Sequence, residues 1–67
     1  MELSARNQIR GTVIAVRIEG IMAEVTIDVA GQLITSTITR ASAERLAVKL
    51  GDTVFAIVKA SDVMLGK

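Results

Sequence analysis

The chain contains no cysteine, no histidine, no tryptophan and no tyrosine, and Phe55 is its one aromatic residue. Each absence excludes a class of chemistry. Without cysteine, no disulfide or thiolate-bound metal can supplement the core of so short a chain. Without histidine and cysteine, the common protein ligands for zinc, copper and iron are missing. There is likewise no thiol nucleophile and no imidazole base to activate a serine. The acidic residues Glu2, Glu19, Glu24, Asp28, Glu44, Asp52 and Asp62 are scattered and show no calcium-loop spacing. An enzyme is not expected.

Charge of one sign is also lacking. Eight basic residues stand against seven acidic ones, for a net charge of +1. Proteins that live on polyanions carry a marked basic excess, and those that hold single strands add aromatic stacking platforms. A nucleic-acid partner is therefore not expected. No run approaches the roughly 20 apolar residues of a membrane span. The start Met1-Glu2-Leu3-Ser4 lacks the basic and apolar regions of a signal peptide. The expectation is a cytoplasmic protein with no membrane partner.

What the chain has in quantity is apolar surface. Of its 67 residues, 51% are hydrophobic, and the mean hydropathy is +0.52. A chain of this length makes a single domain, residues 1–67, and buries too little surface to be comfortable alone. The available remedy is to cover apolar faces with further copies, so an obligate oligomer is expected.

The pattern along the chain is mostly that of strands. Gln8 to Ile18 is rich in Val, Ile and Thr. Strict alternation puts Ile9, Val13 and Ala15 on one face and Ile14, Val16 and Ile18 on the other, so both faces read as buried. Gly11 within this strand suggests a bend or a close backbone approach, as at the corner of a small barrel. Glu19-Gly20 reads as a turn. Ile21, Ala23, Val25, Ile27 and Val29 then alternate with Met22, Glu24, Thr26 and Asp28, the pattern of a half-buried strand. After a turn at Ala30-Gly31-Gln32, a third strand runs from Leu33 to Thr39. Ala41 to Val48 is made of good helix formers, enough for about two turns, with Thr39 as N-cap. Thr53 to Lys59 forms a fourth strand, apolar on both faces. Ala60-Ser61-Asp62 interrupts it before the short Val63-Met64-Leu65 run. This order fits an all-β fold, a small five-stranded OB-type Greek-key barrel with one short helix, assembled as an oligomer. A helix-capped antiparallel meander would give much the same pattern.

The polar residues that stand out suit an anion. A tetrahedral dianion only accepts hydrogen bonds, so it needs converging N–H and O–H donors and positive charge to offset its desolvation. Ser4-Ala5-Arg6-Asn7, immediately before the first strand, offers consecutive backbone donors with a hydroxyl, a guanidinium and an amide. Lys59-Ala60-Ser61 offers an ammonium, backbone N–H groups and a hydroxyl at a strand break. In an oligomer, one segment can face the other across an interface. Taken singly, Arg6 and Lys59 also read as solvated surface residues, Ser61-Asp62 as an ordinary turn, and the threonines of the third strand as its exposed polar face.

Ser4-Ala5-Arg6-Asn7-Gln8, running into Ile9-Arg10-Gly11 and a β-branched strand, resembles the start of the molbindins, small molybdate-binding proteins built from the TOBE module. The resemblance covers essentially the whole chain, through Ala23-Glu24-Val25, Ile38-Thr39, Ser42-Ala43-Glu44-Arg45-Leu46 and Val58-Lys59-Ala60-Ser61-Asp62-Val63-Met64. It implies a homohexamer, a trimer of dimers, with molybdate or tungstate at subunit interfaces. No organic cofactor is implied, and the metal is carried as an oxyanion without direct protein ligands. One implied site combines Ser4, Ala5, Arg6 and Asn7 of one subunit with Thr39, Lys59, Ala60 and Ser61 of another. A second lies near the three-fold axes and would here use Gly20, Ile21 and Met22, although the polar side chain some relatives place near Met22 is absent. The implied function is intracellular molybdenum storage and homeostasis. The alternative is a structural or protein-interaction module of the same fold that carries no ligand.

Overall fold

A computed structural model describes residues 5–67. The element order is β1 (Asn7–Glu19), β2 (Met22–Val29), β3 (Gln32–Thr39), α1 (Arg40–Leu46) and β4 (Thr53–Val58), followed by a single 3₁₀ turn at Ala60–Asp62. The four strands form one antiparallel sheet in the order β3-β2-β1-β4. Four strands are thus present among the described residues where five were expected. The Val63-Met64-Leu65 run belongs to no strand, because a segment joins a sheet only where it finds a backbone partner.

Tight turns set the register. The β2–β3 hairpin closes through Ala30 and Gly31, both left-handed, with φ of 50° and 90°; this geometry matches the right-handed twist of the flanking strands. The Asp28 carboxylate accepts a hydrogen bond from the Gly31 N–H at 3.0 Å and holds the turn. Thr39 ends β3 and caps α1, its hydroxyl accepting from the Ser42 N–H at 3.1 Å, as its position before the helix predicted. The helix stops at Ala47, whose left-handed backbone sends its N–H back to the Ala43 and Glu44 carbonyls.

The long strand β1 departs from strict alternation. Val13 pairs with Ile27 and Ala15 with Thr26, so Ile14 has no partner and forms a bulge. Ile14 and Ala15 consequently point outward one after the other, and Val16 rather than Ala15 packs against the core. The expected grouping of Ala15 with Val13 is corrected for this reason: one inserted residue inverts the facing of everything beyond it. Ile21 also differs from expectation. It sits in the first hairpin turn, 81% exposed, rather than at the start of the inward row.

The core is small. Val13, Val25 and Ile27 form its buried centre, with Val16, Val29, Ile34, Ile38, Val48, Val54 and Ala56 packed around them. The inner row of β4 is Val54, Ala56 and Val58, while Phe55 and Ile57 face outward and are exposed. Gly11 allows β1 to curl against β2: a Cβ on it would stand 2.9 Å from the Asp28 carbonyl oxygen. The close approach expected of this glycine is present. The chain exposes 5412 Å², against roughly 4,100 Å² for a compact monomer of this mass by the usual surface scaling.

Candidate functional site

The β1–β4 ladder decides where the polar segments meet. Its outermost pair is Asn7 and Val58. Beyond this pair the ladder ends, and Arg6 and Lys59 are the next residues outward along the two strands. The two donor-rich segments therefore leave the sheet from the same end of it. Ser4 lies outside the described residues.

Burial within this cluster grades from apolar to polar. Ala5 is buried, Asn7 is half-buried, and Arg6, Lys59, Ala60 and Ser61 are exposed. The 3₁₀ turn at Ala60–Asp62 arises because Lys59, in an extended conformation, accepts from the Asp62 N–H at 2.9 Å, while the Ala60 carbonyl accepts from the Val63 N–H at 3.3 Å. The N–H groups of Ala60 and Ser61 at the head of this turn have no partner within it. Two cationic residues, an amide, a hydroxyl and backbone N–H groups thus belong to the residues that flank this end of the β1–β4 ladder. Asp62 is the carboxylate of the same turn and moderates its positive charge.

Thr39 lies elsewhere. It pairs with Met22, and Met22 pairs with Glu19, so Thr39 stands at the far end of β1 from Asn7. Within one chain it does not join Arg6 and Lys59. It neighbours instead the Gly20-Ile21-Met22 hairpin, where the Ile21 carbonyl accepts from the Arg40 N–H at 2.8 Å and Gly20 has φ of 56°. The second set of candidate residues is therefore contiguous with Thr39, at the opposite end of the molecule from the first.

Two further residues belong to the Thr39 end. The Thr39 hydroxyl donates to Ser42 Oγ at 2.8 Å, and the Arg45 guanidinium donates to the same oxygen at 3.2 Å. Neither Ser42 nor Arg45 was among the candidate residues. The signal that finds them is the i, i+3 spacing of Thr39, Ser42 and Arg45, which stacks three polar groups on one face of a helical turn. The ion pairs among the described residues, Arg17–Glu19 and Arg40–Glu44, are both exposed. No group of three or more acidic residues gathers as a metal site among the described residues.

The chain is a small, curled antiparallel sheet with one helix and donor-rich segments at its strand ends. The chain belongs to the TOBE-domain family, whose match runs over residues 3–65. It is 44% identical to molybdenum-pterin-binding protein 3 of Clostridium pasteurianum over 66 residues, covering 97% of each chain. A molybdate-binding protein from Sporomusa ovata superposes with a TM-score of 0.95 at 33% identity, over 100% of both chains. The cytoplasmic molybdate-binding protein ModG, in a structure with molybdate bound, superposes with a TM-score of 0.91 at 40% identity, covering 98% of this chain and 48% of that one. These relatives are binding proteins of the molbindin type, not enzymes.

Proposed function

We propose that this chain binds molybdate, and tungstate in its place, as a tetrahedral dianion at the interfaces of a homohexamer built as a trimer of dimers. Its role is cytoplasmic storage and homeostasis of molybdenum. The observation that carries this reading is the Asn7–Val58 pair that ends the β1–β4 ladder, with Arg6 and Lys59 the next residues on either side of it. It gathers positive charge and N–H donors where an acceptor-only ligand needs them. Relatives named for molybdate and molybdenum binding support the choice of anion. ModG, described as cytoplasmic, supports the compartment, and no helix of the described residues is long and apolar enough to cross a membrane.

Assembly completes the site in this reading. One copy supplies Ala5, Arg6, Asn7, Lys59, Ala60 and Ser61, together with Ser4. Thr39 must come from a neighbouring copy, because the fold puts it at the other end of β1. The surface of 5412 Å² exceeds that of a compact monomer by an amount comparable with one side of a standard interface or more. Exposed Phe55, Ile57, Ile14 and Leu33 are the apolar side chains available to fill such contacts. Gly20, Ile21 and Met22 form the second oxyanion site near a three-fold axis, through backbone donors. No organic cofactor is required. Some relatives are named for a molybdenum pterin, but a pterin ring calls for stacking partners, and Phe55 is the one aromatic side chain here.

Equilibrium dialysis against molybdate, with elemental analysis of the retained protein, tests the reading. The expected result is saturable molybdenum that tungstate displaces and sulfate does not. Protein that assembles yet retains no oxyanion would instead be the ligand-free structural module.

A further inference from the structure

The hydrogen bonds at the Thr39 end run in definite directions. Thr39 Oγ1 accepts from the Ser42 N–H at 3.1 Å and donates to Ser42 Oγ at 2.8 Å. Ser42 Oγ accepts a second bond, from Arg45 Nη2 at 3.2 Å. A hydroxyl has one proton and two acceptor positions. The Thr39 proton is therefore used within the pair, and both acceptor positions of the half-buried Ser42 are filled. The Ser42 proton is the one left to donate away from both.

Arg45 differs from its neighbour on the helix. Arg40 gives its guanidinium to Glu44 at 2.9 Å, an ordinary i, i+4 ion pair. Arg45 forms no ion pair among the described residues and turns back to the Ser42 hydroxyl instead. Its charge stays uncompensated beside that hydroxyl, and an ionised donor polarises the hydroxyl it bonds to.

We propose that Arg45 is a positioning residue for oxyanion binding, acting through Ser42. By filling an acceptor position of Ser42 Oγ, it restricts that hydroxyl to donating, and it sets a positive charge behind the donated proton. The restriction matters because a tetrahedral dianion offers only acceptors, so a hydroxyl turned lone pair first would repel it. The proposal rests on the oxyanion reading above, with Thr39 as part of the site.

Titration calorimetry with molybdate tests it on the parent, Arg45→Ala, Arg45→Lys, Ser42→Ala and the Ser42→Ala/Arg45→Ala double variant, with light scattering on the same samples. Arg45→Ala should weaken binding about threefold to thirtyfold, the size of coupling expected between groups in one network. Arg45→Lys keeps the charge and should recover part of the loss. In the Ser42→Ala background, removing Arg45 should cost clearly less than in the parent, because the hydroxyl it acts through is gone. Lys49→Ala removes another exposed cation just beyond the helix and should bind like the parent. If Arg45→Ala does not assemble, Arg45→Gln replaces it in the cycle. Parent-like affinity without Arg45 overturns the proposal, as does an equal loss in both backgrounds. An equal loss from Lys49→Ala reduces the effect to net charge and overturns it too. A parent that retains no molybdate removes the oxyanion reading and this proposal with it, whereas a binding parent with an indifferent Arg45→Ala removes only this proposal.

Discussion

Asn7 and Val58 face each other as the last pair of the β1–β4 ladder, and that one pairing brings the two ends of the chain's polar chemistry to the same place. Arg6 and Lys59 are the next residues outward on either strand. Both are exposed in the single chain, where an isolated cation is well hydrated and gains little. In the proposed assembly, where a neighbouring copy covers them, the same two cations would supply the charge that a desolvated dianion requires.

Truncating either cation therefore measures its contact with the ligand. Charge-assisted hydrogen bonds are worth about 1.5–3 kcal/mol, so Arg6→Ala and Lys59→Ala should each weaken molybdate binding by roughly tenfold to a hundredfold. Arg17 pairs with Glu19 on the exposed face of β1, and Arg17→Ala should leave affinity nearly unchanged. Isothermal titration of the three variants, with light scattering on the same samples, decides the matter. Parent-like binding by both Arg6→Ala and Lys59→Ala would place the site elsewhere or build it from backbone donors alone.

A ligand that binds only the assembled, folded state stabilises that state by mass action. Molybdate at a free concentration 100 times its dissociation constant should add about 2.7 kcal/mol per site and raise Tm. Sulfate at equal ionic strength should do much less, because it is smaller and leaves fixed donors unpaired. Scanning calorimetry with the two anions is the check, and equal shifts would reduce the effect to generic anion binding.

Thr39 has a structural duty that must be separated from any duty at the ligand. Its hydroxyl caps α1, and Thr39→Ala should cost about 1 kcal/mol of stability, with Thr39→Ser restoring most of it. If Thr39 also reaches the anion of a neighbouring copy, Thr39→Ala should lower molybdate affinity under conditions where the protein remains fully folded and assembled. Unchanged affinity under those conditions would confine Thr39 to capping.

Gly11→Ala tests the curl of the sheet. The added methyl would meet the Asp28 carbonyl oxygen at 2.9 Å, Val29 at 3.0 Å and Ile27 at 3.1 Å. Backbone on one side and core on the other leave it little room, so a loss of about 1–3 kcal/mol is expected from overpacking. Urea denaturation measures it. A neutral outcome would mean that β1 and β2 can separate here without penalty.

The elements themselves were legible along the chain. The β2 alternation of Ala23, Val25 and Ile27 with Glu24, Thr26 and Asp28 reads directly as one buried and one polar face, because neighbouring strand residues point opposite ways whatever surrounds them. Thr39 before a run of helix formers likewise declares a capped helix, a matter of local hydrogen bonding. The hydrogen-bond donors and cations of Ser4-Ala5-Arg6-Asn7 and Lys59-Ala60-Ser61 were visible as residue types. Tertiary structure alone decided the remainder. The bulge at Ile14 moves Ala15 to solvent and Val16 toward the core, and a one-residue insertion leaves no mark in a strand that is apolar at almost every position. The pairing of Asn7 with Val58, next to Arg6 and Lys59, and the separation of Thr39 from that end follow from register between strands far apart in sequence. Local pattern specifies what each strand buries. Which residues it stands beside is set by pairing, and pairing is settled only when the whole sheet closes over Val13, Val25 and Ile27.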